Sequence, residues 1–427
     1  MRAAATTSLA TVLGVLLCTG APRAAVGPPV TYAYVNGHWF DGRRFVARPF
    51  YSVHGELHPN RPWAIDSTID LRGGYVVPPF GEAHNHNAGL AGAAAAATTA
   101  RYLREGIFYV KNPGNLPAQR AARESTGIDV VYSNGLLTAP DGHPLGLVRR
   151  NVARGVMTEA DGEGSFYFTV ETRADVDRKW PALLASRPDF IKTVLLYSEE
   201  YERRRADTTY FSWKGLDPRL LPYIVRKARD AGLRVSTHVE TAADFRAALA
   251  AGTSEVNHLP GFRPEGNELA GYRDLHRFAI TDTDAARAAR QRLVVVTTVS
   301  EVLEVLDADS SEVAWARAGE IRAMVVGNLR TLLRHGVRIA LGSDRYRSTS
   351  TAEALALHRL AVADNLTLLK MWCETTPATI FPGRRIGRLR DGYEASFLVL
   401  DGNPLDDFAN TGRIRMRVSQ GRVLPEP

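Results

Sequence analysis

"PPFGEAHNHN", Pro78 to Asn87, closes an apolar run and sets two histidines one residue apart. On an extended chain, residues two apart project to the same face, so His84 and His86 can offer both imidazoles to one ion. Taken alone, the pair is also what a polar loop contains by chance. The remaining sequence decides between a hook and a loop, according to whether it supplies further ligands in register with this stretch.

Outward from this stretch, the middle of the chain alternates. Apolar strand candidates fall at 74–80, 107–110, 129–132, 190–196, 233–237, 254–257, 293–298 and 337–341, with helical stretches such as 91–104, 218–231, 242–250 and 319–335 between them. Strands alternating with helices in this number predict an α/β fold, a (β/α)8 TIM barrel. An open doubly wound sheet competes, but no glycine-rich phosphate turn follows the first strand. Residues 139–171 are too long for a plain strand-to-helix connection and read as an insertion near the barrel mouth. Before the barrel, Thr31 to Val77 reads as short β segments broken by Asn36-Gly37 and Asp41-Gly42 turns. The C-terminal stretches "GRLRDGYEASFLVLDGNPLDDF" and "IRMRVSQGRVL" have the same character. The expected organisation is therefore a small β-sandwich domain from residues 30–78 and 383–425 beside a barrel over 79–382.

Composition narrows the class. With 427 residues, 45% hydrophobic and 23% charged, the chain is globular and long enough for a large core. The formal charge is +7, but the basic residues are nearly all arginine and dispersed among acids, which argues against a nucleic-acid partner. The first 25 residues carry Arg2, an apolar segment from Leu9 to Leu17 and small residues up to Ala25. They read as a secretory signal peptide, too short for an ordinary transmembrane span, and predict a periplasmic or secreted protein with no membrane span after cleavage. A lipid anchor at Cys18 is the alternative, which the bulky Leu17 before it fits poorly. Once Cys18 leaves with the signal, Cys373 is the one remaining cysteine, so no intrachain disulfide forms.

If the barrel is right, reactive groups gather at the carboxyl ends of its strands. Beyond His84 and His86, those positions carry Lys192 in "DFIKTVLLYS", His238 in "RVSTHVET", His258 in "EVNHLPG" and Asp344 in "IALGSDRY". Singly, each histidine reads as a satisfied core residue and Asp344 as a helix cap. Lys192 is harder to dismiss, because an unpaired ammonium inside an apolar strand is costly. Only six of the 53 basic residues are lysine, so a lysine there suggests that an amine is required. Together the residues predict a metal site.

"STIDLRGGYVVPPFGEAHNHN" and "TPATIFPGRRIGRLRDGYEASFLVLDGNPLDDF" resemble the entry and closing segments of the amidohydrolase superfamily, in its imidazolonepropionase- and prolidase-like binuclear branch. That resemblance implies a barrel with a β-sandwich from both termini. It also implies a lysine carbamylated by carbon dioxide that bridges two divalent metals, usually zinc. Carried over, His84, His86 and Asp344 bind one metal, His238 and His258 the other, and Lys192 bridges them. Neutral imidazoles and an anionic carbamate suit such ions. A metal-bridging hydroxide would attack the substrate, with Asp344 as general base and then acid. His143 in "DGHP" would sit near the substrate carbonyl; its other reading is a turn residue. Tyr197, Tyr201, Glu240, Arg345 and Tyr346 are candidates to line the mouth. Two departures stand out: Phe80-Gly81-Glu82 replaces the family's usual turn, and Glu240 stands where dipeptide-cleaving relatives place a tyrosine. The expected function is an exported binuclear hydrolase of a carbon–nitrogen (amide) bond, or of an ester or lactone, acting on a small-molecule substrate. The alternatives are a prolidase-like metallo-dipeptidase or carboxypeptidase, and a metal-bearing barrel that binds a ligand without turnover.

Overall fold

The computed structural model describes residues 30–89, 92–121, 127–262, 272–307 and 312–426; the predicted signal segment lies outside them. Among these residues the chain is a mixed α/β protein. Seven parallel strands run in the order Tyr167–Thr169, Leu136–Thr138, Ile191–Val194, Val235–His238, Glu255–Asn257, Val294–Val296 and Arg338–Ala340. A second parallel sheet orders Asp129–Tyr132, Ile107–Asn112 and Phe80–Glu82. Ile191–Val194 and Val235–His238 are buried at every position, as expected of parallel strands covered on both faces.

Two connections join these sheets. Ala83 N donates to Leu341 O at 2.7 Å, linking the first strand to the last. At the other side the backbone passes from Asp129–Tyr132 to Leu136–Thr138 through Asn134 and Gly135, both with positive φ (49° and 108°). The kink moves the chain from pairing with Ile107–Asn112 to pairing with Ile191–Val194. Gly135 is needed twice over there, since a Cβ would also fall 2.7 Å from Ser165 O.

The termini form two further sheets. One orders Glu56–His58, Phe50–Val53, Tyr32–Val35 and Ser67–Asp70; the other joins Arg422–Val423, Ile414–Ser419, Phe397–Leu400, Tyr75–Val77, His38–Phe40 and Phe45–Ala47. Aromatic rings cross between them: Tyr34 meets Phe397 edge-on at 4.8 Å and Trp39 packs on Phe50 at 4.5 Å.

One expected strand is corrected. Residues 74–80 do not form a single strand, because Pro78 and Pro79 lack the N–H that a ladder needs. Tyr75–Val77 belongs to the antiparallel terminal sheet, and Phe80–Glu82 begins the parallel one. Gly81 then packs so closely under Thr376 and Pro377 that a Cβ would lie 2.7 Å from the Thr376 methyl. Gly81 is thus required by its packing against helix Thr376–Ile380. The region 139–171 contains helix Leu145–Ala153 and strand Tyr167–Thr169, which sequence periodicity missed.

Candidate metal centre

The strand ends converge. His84 and His86 follow Phe80–Glu82, His238 closes Val235–His238, His258 follows Glu255–Asn257, and Asp344 lies just beyond Arg338–Ala340. Asp344 Oδ1 is 3.4 Å from His84 Nε2 and 3.2 Å from His86 Nε2, and Oδ2 is 3.9 Å from His258 Nε2. Ligand atoms of His84, His258 and Asp344 all lie within 4.8 Å of one another. The rings continue the chain of contacts, His84 to His258 at 4.7 Å, His258 to His238 at 4.5 Å and His238 to His143 at 5.0 Å. Lys192 is buried one rung below His238, and its Nζ contacts Asn257 Oδ1.

The local backbone is built to hold this cluster. Asp344 and His258 both adopt left-handed φ (45° and 75°), a conformation that non-glycine residues resist. Hydrogen bonds keep them there: Asp344 N donates to His84 O at 2.8 Å, and His258 N donates to Val296 O at 3.0 Å. Glu82, fully buried, accepts from Ser343 N and Ser343 Oγ, both at 2.9 Å, while Asn85 Nδ2 reaches Ser343 Oγ at 2.7 Å. The two ligand-bearing segments are thus clamped together.

The electrostatics suit a cation. Burial brings the His84 imidazole down to about 4 and holds His238 and His258 well below the usual histidine range, so all three are neutral lone-pair donors near neutral pH. Burial would raise the Asp344 carboxyl, but His84 and His86 beside it hold it well below the carboxylate range. Burial also pulls Lys192 down to about 7, against the attraction of Asp344. His86 Nδ1 donates to Gly114 O at 3.1 Å, which leaves the Nε2 lone pair facing Asp344 and the cluster. His258 Nδ1 pairs with Thr298 Oγ1 at 2.9 Å, which fixes the orientation of that ring. The donor set therefore fits a divalent ion of the zinc type.

The amidohydrolase family profile matches residues 189–424, more than half of the chain. The chain belongs to the amidohydrolase family. A 197-residue stretch is 25% identical to ochratoxinase from Aspergillus niger, covering 44% of this amidohydrolase but only 37% of that protein. By structure, the crystal structure of A. niger ochratoxinase superposes with a TM-score of 0.73 at 18% identity, covering 93% of this chain and 96% of that one. A Xaa-Pro dipeptidase with bound methionine also superposes, with a TM-score of 0.68 at 15% identity, covering 92% of this chain and 99% of that one. At such identities the structural likeness speaks for the fold.

Around the centre of this amidohydrolase, the candidate mouth residues divide. Tyr346 is 56% exposed, its ring 6.3 Å from His86. Arg345 ion-pairs with Glu304, and its carbonyl accepts from Asn85. Tyr197 is buried, its ring under the guanidiniums of Arg204 at 3.9 Å and Arg277 at 5.1 Å. Tyr201 is half-buried between Arg205 and Arg219, and Glu240 is buried with its backbone N on Asp244. Sequence reasoning missed Phe262, which stacks on His258 at 3.9 Å, and the buried Lys111–Glu255 ion pair. Lys111, charged within the otherwise apolar run of Ile107–Lys111, was the available signal for that pair.

Proposed function

We propose that this chain is an exported, binuclear metal-dependent hydrolase that opens a carbon–nitrogen bond of the amide class, its centre lying at the mouth of a closed (β/α)8 barrel flanked by a β-sandwich of both termini. The observation that carries this reading is the convergence of His84, His258 and Asp344 within 4.8 Å, with His86 against the same carboxylate. Family membership and the Ala83–Leu341 hydrogen bond between first and last strands support it.

His84 and His86 with Asp344 would hold one ion, His238 and His258 the other, with carbamylated Lys192 between them. When bound, such a pair supplies an acidified water and polarises the scissile carbonyl, with zinc the favoured metal. Asp344, ionised in the resting site, accepts a proton from the attacking water at a carboxylate oxygen and delivers it to the leaving nitrogen. His143, whose ring stacks on His238, would donate a hydrogen bond to the carbonyl oxygen as it gains charge.

The test is metal analysis together with a substrate screen. Purified protein should carry about two divalent ions per chain, and the loaded protein should hydrolyse members of a panel of N-acyl amino acids, ochratoxin and lactones. Metal-free protein that is folded and fully active would overturn the mechanism. Turnover confined to Xaa-Pro dipeptides would replace the amidase reading with the dipeptidase one, for which Glu240 is an unexpected neighbour.

A further inference from the structure

Beneath the candidate centre lies a layer of buried polar groups. Lys192, Ser236 and Glu255 share one rung of three adjacent parallel strands, and Asn257 lies two residues beyond Glu255, on the same face. Glu255 Oε1 ion-pairs with Lys111 Nζ, which comes from the other parallel sheet and lies over the Phe190 ring at 4.2 Å. The same oxygen takes a hydrogen bond from Asn257 Nδ2 at 3.0 Å, and Ser236 Oγ lies 2.8 Å away. An ionised carboxylate only accepts hydrogen bonds, so the amide end of Asn257 that faces it must be the NH2. The carbonyl end, Oδ1, is thereby turned toward Lys192 Nζ, with Ser236 Oγ 2.9 Å from it. Both lysines in this layer are buried, as are Glu255 and Asn257.

We propose that Asn257 is a positioning residue that orients a carbamate on Lys192, and that Glu255 and Lys111 hold Asn257 in the required orientation. This rests on the binuclear reading given above. Carbamylation needs carbon dioxide as co-reactant. The neutral lysine nitrogen attacks its carbon, the N–C bond forms as one C=O electron pair moves onto oxygen, and one proton leaves nitrogen for water. The nitrogen keeps a single hydrogen. Because the new group is planar by the same resonance that flattens a peptide, directing that hydrogen at Asn257 Oδ1 fixes the plane of the two carbamate oxygens. They then face away from Asn257. An unmodified ammonium has three equivalent hydrogens and gains no such orientation from one acceptor.

The experiment compares metal-loaded wild-type protein with Asn257→Leu, each equilibrated with 13C-bicarbonate and followed by 13C NMR of the carbamate carbon and by metal analysis. Leucine removes the acceptor at similar volume; the carbamate signal should vanish and affinity for the second metal should weaken roughly 10–100-fold. If Asn257→Leu loses its cooperative melting, Asn257→Ser, too short to reach Lys192, takes its place. A folded leucine or serine variant with wild-type signal and metal content overturns the role of Asn257 alone. Wild-type protein with two metals and no carbamate signal overturns the Lys192 reading itself, and the role of Asn257 falls with it.

Discussion

Asp344 is the residue on which the candidate centre turns, since one carboxylate faces three imidazoles. Asp344→Asn keeps the shape and removes the proton acceptor; turnover on any substrate found should fall by about 10²–10⁴, while the melting curve stays cooperative. Unchanged turnover would exclude the proton transfer. Lys192→Ala should reduce metal content from about two ions per chain to about one, with partial recovery in a short carboxylic acid; unchanged metal content would make the lysine structural. Lys192 was legible in sequence because a lysine stands out inside an apolar strand of an arginine-rich chain. Lys111 breaks its own strand in the same way, yet its pairing with Glu255 was hidden because it spans two sheets and nothing local records it. Asn257, a neutral residue beside a histidine, gave no signal at all.

Helix ends tie the loops around the mouth. Helix Ala242–Ala251 starts with a capping box in which Thr241 accepts from Asp244 N, and it stops at Gly252 in the left-handed region. Asp244 is fully buried, and its carboxylate also accepts from the backbone N–H groups of Tyr197, Ser198 and Glu240. Asp244→Ala leaves several buried donors unmet, each costing about 1–3 kcal/mol, so the urea midpoint should fall by an amount equivalent to at least about 2 kcal/mol. A smaller change would mean that water replaces the carboxylate. Helix Arg173–Ala185 uses the same device at Thr172 and Asp175. Hydrogen bonds, chiefly from the Thr172 hydroxyl, bring the Asp175 carboxyl down to about 2. Its folded-state value lies below the unfolded one, so its stabilisation is present above about pH 4 and disappears as pH falls toward 2. The melting-temperature difference between wild type and Asp175→Asn should therefore close across that window; a constant difference would refute the assignment. Helix Ala242–Ala251 was readable from its helical pattern over 242–250, whereas strand Tyr167–Thr169 is too short to show a period.

Across the whole molecule, parallel strands such as Ile107–Asn112 and Val294–Val296 were legible from their largely apolar sequences, whereas Leu136–Thr138 and Tyr167–Thr169 were too short to stand out. The terminal sheets were only half legible: turns marked the strands, but no local feature says that Tyr75–Val77 lies between His38–Phe40 and Phe397–Leu400. Stripping metal with a chelator at low bicarbonate should lower the melting temperature while far-UV circular dichroism at 20 °C stays native, since an ion that binds only the folded chain stabilises it; an unchanged melting temperature would speak against a resident metal. Removing residues 383–427 should leave Tyr75–Val77 unpaired on one side and uncover Tyr34, so the truncated protein is expected in the insoluble fraction; a soluble truncation that melts like the full chain would show that the terminal sheets are dispensable. The shared sheet also governs timing. Synthesis runs from the N-terminus, so His38–Phe40 and Tyr75–Val77 exist long before their partner at 397–400 is made. Pairing over such a separation is slow, and the terminal sheet cannot close until residues 397–400 have left the ribosome, so the early strands wait with one edge open while the whole parallel core between them is made.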